Sequence, residues 1–222
     1  RVASCHRVGP RPSVGGPLPE PPEARMPSFS DLGVSPDFVV ALEAMGRTSP
    51  FPVQALTIPD ALAGRDVCGK AKTGSGKTLA FGLPVLEKVK AAQPRRPRAL
   101  ILVPTRELAV QVKEELAPLG AARGTTVSAV YGGARMETQV KALTKGVEVV
   151  VATPGRMIDL IERKEIFLDD VDQVVLDEAL WDDRPARAAH ERAVALLNDA
   201  IEGRVRFELR TAARSQRCML SS

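Results

Sequence analysis

Apolar and polar positions follow two rhythms along the middle of the chain. Short, mostly apolar runs fall at 66–69, 99–104, 126–131, 147–152 and 173–177. Between them, at 77–89, 107–119, 135–144 and 156–163, apolar residues recur every three or four positions. The first rhythm predicts strands and the second amphipathic helices. Leu100-Ile101-Leu102-Val103 and Val149-Val150-Val151 have no polar face, so these strands need a covering layer on both sides. Strand, helix, strand in this order predicts parallel strands joined by right-handed crossovers. Two more helices, 36–44 and 53–62, precede the first strand, with a proline-punctuated connection at 47–53. The fold class is α/β, a parallel sheet flanked by helices.

The rhythm is confined to the middle. Residues 1–27 are rich in Pro, Gly and Arg and show no periodicity, as expected of a disordered segment. The chain begins with Arg1, so either its start is missing or the reading begins upstream of a start at Met26. After Ala179 the texture changes again. Residues 180–222 hold eight Arg and no Lys, and their helix formers gather around 187–201 without a further strand-helix alternation. Three segments result: a Pro-rich 1–27, a folded domain over 28–179, and an atypical Arg-rich tail over 180–222.

Composition narrows the partners only slightly. Aromatic residues make up 4% of the chain, so the core must be aliphatic. A net charge of +4 permits an anionic partner without requiring one. Cys5, Cys68 and Cys218 form neither a disulfide framework nor a metal knuckle, and His6 and His190 stand far apart. A reduced, cytoplasmic setting fits this usage. No apolar run approaches the roughly 20 residues of a membrane span.

Two local patterns carry chemistry. Ala71-Lys72-Thr73-Gly74-Ser75-Gly76-Lys77-Thr78 has the spacing of a phosphate-binding loop, with Ala at the first Gly, between a strand and a helix. Gly74 and Gly76 let backbone N–H groups face a phosphate, and the helix N-terminus adds partial positive charge. Lys77 would meet the β- and γ-phosphates of ATP, and Thr78 would place its hydroxyl on Mg²⁺. Asp177-Glu178 ends the last strand. Asp177 would hold Mg²⁺ through water, and Glu178 would orient or deprotonate the attacking water. Ligands of open α/β sheets bind at the carboxyl ends of strands, which places both patterns on one edge.

With these patterns in place, residues 29–179 resemble the first RecA-like domain of a DEAD-box ATP-dependent RNA helicase. Phe29, Gly46, Pro50 and Gln54 resemble the family's adenine-reading Q motif, and the resemblance implies that Gln54 bonds the adenine edge. Arg47 stands where the family usually has an aromatic residue. The loop 71–78 matches motif I, Pro104-Thr105-Arg106-Glu107-Leu108-Ala109 matches motif Ia, Gly132-Gly133 matches the family's Gly doublet, and Thr153-Pro154-Gly155-Arg156 matches motif Ib. The resemblance implies that the last three line an RNA backbone. Strand ends with hydroxyls, glycine N–H groups and helix N-termini suit phosphates rather than bases. Arg106 and Arg156 add charge, although helix capping or an internal ion pair is the competing role for each.

The resemblance breaks at its end. The family's Asp-Glu-Ala-Asp is here Asp177-Glu178-Ala179-Leu180, and no Ser-Ala-Thr follows. The expectation is a domain truncated or frame-shifted near residue 180, apparently incomplete, with an uncovered sheet edge beside the acidic strand. Such a chain would bind nucleotide weakly, with negligible hydrolysis and no unwinding. A non-catalytic RNA-binding or regulatory module is the alternative, and another P-loop ATPase, such as a DNA helicase or translocase, is a third.

Overall fold

The computed structural model describes residues 26–69, 71–72 and 74–177, together with the backbone of 207–209. Helices α1 (Pro36–Ala44) and α2 (Pro52–Leu62) lead into β1 (Cys68–Gly69), α3 (Lys77–Lys88), β2 (Ala99–Leu102), α4 (Arg106–Ala121), β3 (Val127–Val130), α5 (Met136–Leu143), β4 (Val149–Ala152), α6 (Pro154–Glu162), β5 (Gln173–Asp177) and β6 (Phe207–Leu209). The strands form one sheet in the order β1-β6-β5-β2-β4-β3, and every pairing is parallel.

Both faces of the sheet are covered, as the uniformly apolar strands require. Ala99 and Ile101 of β2, with Val149 and Val151 of β4, pack among α1, α2, α3 and α4. Leu100 and Leu102, with Val150 and Ala152, pack against α5 and α6. Alternation along a strand therefore distributes side chains between two cores. Phe38, Leu42, Ile58, Phe81, Leu83 and Leu116 are fully buried on the first side. Each such side chain contributes about 1.5–3 kcal/mol of transfer free energy.

The elements fall close to their expected places, and the differences have local causes. Helix α6 begins at Pro154, two residues before the expected start, because a proline at the first helical position has its φ already set and has no N–H to satisfy. Strand β1 keeps only two of its four expected residues. The largest correction concerns the sheet beyond the acidic strand. In place of an uncovered edge, β6 lies between β5 and β1, with Val175 opposite Phe207 and Cys68 opposite Glu208. Three residues, Phe-Glu-Leu, are too short a run to stand out among the arginines of 180–222.

Candidate functional site

The loops that leave the C-terminal ends of β1, β2, β3 and β4 share one edge of the sheet with the last residue of β5. At the end of β1, Gly74 and Gly76 have φ of +78° and +82°, a left-handed conformation that favours glycine. A Cβ on Gly74 would meet open space. On Gly76 it would overlap Gln54 Nε2 and lie 2.6 Å from Phe51 Cδ2. Gly76 is therefore required for space as well as for φ. It also caps α3 without a side chain, which leaves the first N–H groups of that helix to a ligand. Ser75 Oγ is buried with no hydrogen-bond partner among the described residues. Lys77, the first residue of α3, is 7% exposed, and Asp177, the last of β5, is 6% exposed. A buried cation, a buried carboxylate, a buried hydroxyl and a glycine-only turn fit a polyphosphate with a divalent cation. Ala71, Lys72 and Thr78 flank this turn and are at least partly accessible, whereas Thr73 and Glu178 lie outside the described residues.

Gln54, expected at an adenine edge, lies against the phosphate loop. It is 1% exposed. The backbone N–H of Phe51 donates to its Oε1 at 2.8 Å, and its Nε2 donates to the carbonyl of Gly76 at 2.8 Å. Both ends of the amide thus tie the first turn of α2 to the phosphate loop. Phe29 is 3% exposed and sits in the core with Leu32, Val34 and Phe38, so it supports this region by packing. Arg47 reaches Glu115 at 3.8 Å.

The other loops stand on the far side of β5. Thr105 caps α4, its Oγ accepting from the N–H of Leu108 at 3.3 Å. Arg106 is exposed and pairs with Glu107 at 2.9 Å, and one of its terminal nitrogens lies 3.6 Å from the Cβ position of Gly133. Pro104 is partly covered, whereas Gly132, Gly133 and Gly155 are exposed. Thr153 begins α6 without a capping bond from its side chain, and Pro154 is buried behind it. Arg156 turns inward, with a side chain only 12% exposed. It donates to the carbonyl of Ala134 at 3.3 and 3.4 Å and to Gln139 Oε1 at 3.1 Å. Gln139 in turn donates to the carbonyl of Tyr131 at 3.0 Å. The two side chains brace the Gly132-Gly133 loop from beneath. Gln139 is absent from the sequence-based site, although its position on the apolar stripe of Met136, Val140 and Leu143 is a signal that could have found it.

Among the described residues, no helix is long and apolar enough to cross a membrane. Comparison with known proteins agrees with the geometry. The family model described as DEAD/DEAH box helicase matches residues 51–210. The chain is 49% identical over 151 residues to the DEAD-box ATP-dependent RNA helicase CshA of Streptococcus pneumoniae, covering 68% of this chain and 29% of that protein. It is 48% identical over 154 residues to CshA of Geobacillus kaustophilus, covering 69% and 33%. Among solved structures, the RNA helicase Prp28 from Chaetomium thermophilum bound to ADP superposes with a TM-score of 0.72 at 34% identity, covering 90% of this chain and 47% of that one. A DEAD box protein from Methanococcus jannaschii gives a TM-score of 0.72 at 31% identity, covering 85% and 50%. The chain spans about a third of the length of these curated relatives. The fold is that of a RecA-like helicase domain, and the chain belongs to the DEAD/DEAH box helicase family.

Proposed function

We propose that this chain is the ATP-binding, RNA-contacting domain of an ATP-dependent RNA helicase. One observation carries the proposal: β5 ends in the buried carboxylate of Asp177 between the phosphate loop on the β1 side and the Thr105, Gly132-Gly133 and Thr153 loops on the β2-β4-β3 side. A nucleotide and a polyanionic strand bound at one edge would meet at this carboxylate. Lys77 and the N–H groups of 74–78 hold the β- and γ-phosphates, and Thr78 and Asp177 hold Mg²⁺. The cation, when bound, neutralises the charge that builds up on the phosphates. Glu178 orients the attacking water. The exposed glycines and Arg106 contact the RNA backbone, so recognition is weakly dependent on sequence. Arg156 acts there by holding the loop rather than by touching the strand.

The 222-residue chain alone binds nucleotide without appreciable turnover, because enzymes of this kind use arginines brought from a second domain to stabilise the transition state. Binding of single-stranded RNAs to the purified chain tests the surface. Arg106→Ala should weaken all sequences alike and lower the slope of log K against log salt by about 1. A loss confined to one sequence, or an unchanged slope, would contradict backbone recognition through Arg106. Robust RNA-stimulated ATP hydrolysis by the chain alone would contradict the proposed dependence on a second domain.

A further inference from the structure

We infer that the groove between β3 and α5 takes an extended, acidic segment of a partner protein, which adds a strand to this edge of the sheet.

Strand β3 is the outermost of the sheet, with β4 as its neighbour on one side. The N–H groups of Val149 and Thr153 donate to the carbonyls of Thr126 and Val130. In a parallel ladder, alternate residues turn their polar groups toward the same neighbour. Thr126, Ser128 and Val130 therefore face β4, and Val127 and Ala129 turn their N–H and C=O groups outward. These four groups have no partner among the described residues. Natural sheets commonly blunt such an edge with charge or proline, yet residues 125–131 read Thr-Thr-Val-Ser-Ala-Val-Tyr.

The edge opens onto a groove. Two adjoining hollows of about 350 and 460 Å³ share Ser128 on one wall and Thr138 and Ala142 on the other. Strand addition draws affinity from main-chain hydrogen bonds and specificity from the surroundings of alternate side chains. Those surroundings are cationic here. Lys141 and Lys145 are exposed on the helical wall, Arg135 is exposed at one end, and no carboxylate lines either hollow. Glu148, just before β4, is spent on the N–H groups of Ala92 and Thr126. Acidic side chains at alternate positions of an added strand would meet these cations. Phosphates would also answer the lysines, but they only accept hydrogen bonds and would leave the carbonyls of Val127 and Ala129 unpaired. An extended peptide satisfies all four groups.

The probe is the peptide fluorescein-Glu-Val-Glu-Val-Glu-Val-amide, titrated by fluorescence anisotropy with the full 222-residue chain. A version with lysine for each glutamate and a labelled oligouridine serve as comparisons. Ala129→Pro removes one outward N–H and keeps the ladder to β4, because an edge strand tolerates proline where its N–H points away from the neighbour. Lys141→Glu with Lys145→Glu reverses charge at two exposed positions and leaves the core untouched. The inference predicts saturable binding of the glutamate peptide and none of the lysine peptide. It predicts a loss of roughly 5-fold or more in Ala129→Pro and of roughly 5- to 30-fold in the lysine double variant. The amide NMR signals of Val127 and Ala129 should shift when the glutamate peptide is added. No binding of that peptide, or binding that the lysine reversal leaves unchanged, would overturn the inference. Unchanged affinity in a folded Ala129→Pro would also overturn it, because the strand edge would then be unused. Should Ala129→Pro not fold, the lysine double variant and the amide shifts decide. An inert peptide beside oligouridine binding that falls in the lysine double variant would give the groove to a polynucleotide instead. An inert peptide beside self-association of the chain that Ala129→Pro abolishes would give it to a second copy.

Discussion

Gly74 and Gly76 look alike in the sequence and share nearly the same φ, yet they carry different constraints. The motif spacing identifies both, but only the packing of α2 against the loop tells them apart, because Phe51 and Gln54 come from more than twenty positions away. Gly74→Ala meets only the left-handed strain of an L-residue, about 1–2 kcal/mol. Gly76→Ala adds overlap with Gln54 and Phe51 and should cost about 2–5 kcal/mol. Urea denaturation of the two variants checks the order, and equal losses would contradict it. Arg156 shows the opposite limit of sequence reading. Its motif leaves an RNA contact and an internal ion pair both open, and within the chain it pairs with Ala134, Gln139 and Asp159. Arg156→Ala leaves these part-buried acceptors to water and should destabilise the chain by about 1 kcal/mol. A stability within experimental error of the parent would mean that water replaces the guanidinium at no cost.

The helices and strands were legible because their periodicities are strong and their uniformly apolar strands demand two covering layers. Close approaches between elements were not. Helices α3 and α4 meet at Gly82, where a Cβ would overlap Leu116 Cδ2 and come 3.1 Å from its Cδ1. Leu116 is fully buried and has no room to swing aside. In an isolated helix Gly→Ala gains up to about 1 kcal/mol, but here overpacking of about 1–3 kcal/mol opposes it. Gly82→Ala should therefore lower stability, and in a Leu116→Ala background the same change should become neutral or favourable. A double-mutant cycle by thermal denaturation measures this coupling, and strict additivity would show that the helices do not touch at this point. Helix α1 is tied to the same layer by Arg123, which bonds Glu87 at 2.8 Å and lies 4.5 Å from the ring centroid of Phe38. No periodicity announces such a cross-link, since it joins three segments distant in sequence. Strand β6 was hidden for a related reason: it is a strand because two existing edges flank it, not because Phe-Glu-Leu insists on being one.

At the scale of the whole molecule, topology turns separate motifs into one site. The strand order brings β5 between the phosphate loop and the loops proposed for RNA, an adjacency that follows from pairing and not from position along the chain. The proposed function depends on that edge holding a nucleotide by its phosphates. Calorimetric titration of Mg²⁺-ATP into the 222-residue chain and its Lys77→Ala variant tests this most directly, with circular dichroism to verify that both are folded. The account predicts saturable binding by the parent and at least a tenfold weaker affinity in Lys77→Ala, a difference of about 1.4 kcal/mol or more. Equal affinity in the two folded proteins, or no binding by the folded parent, would contradict it.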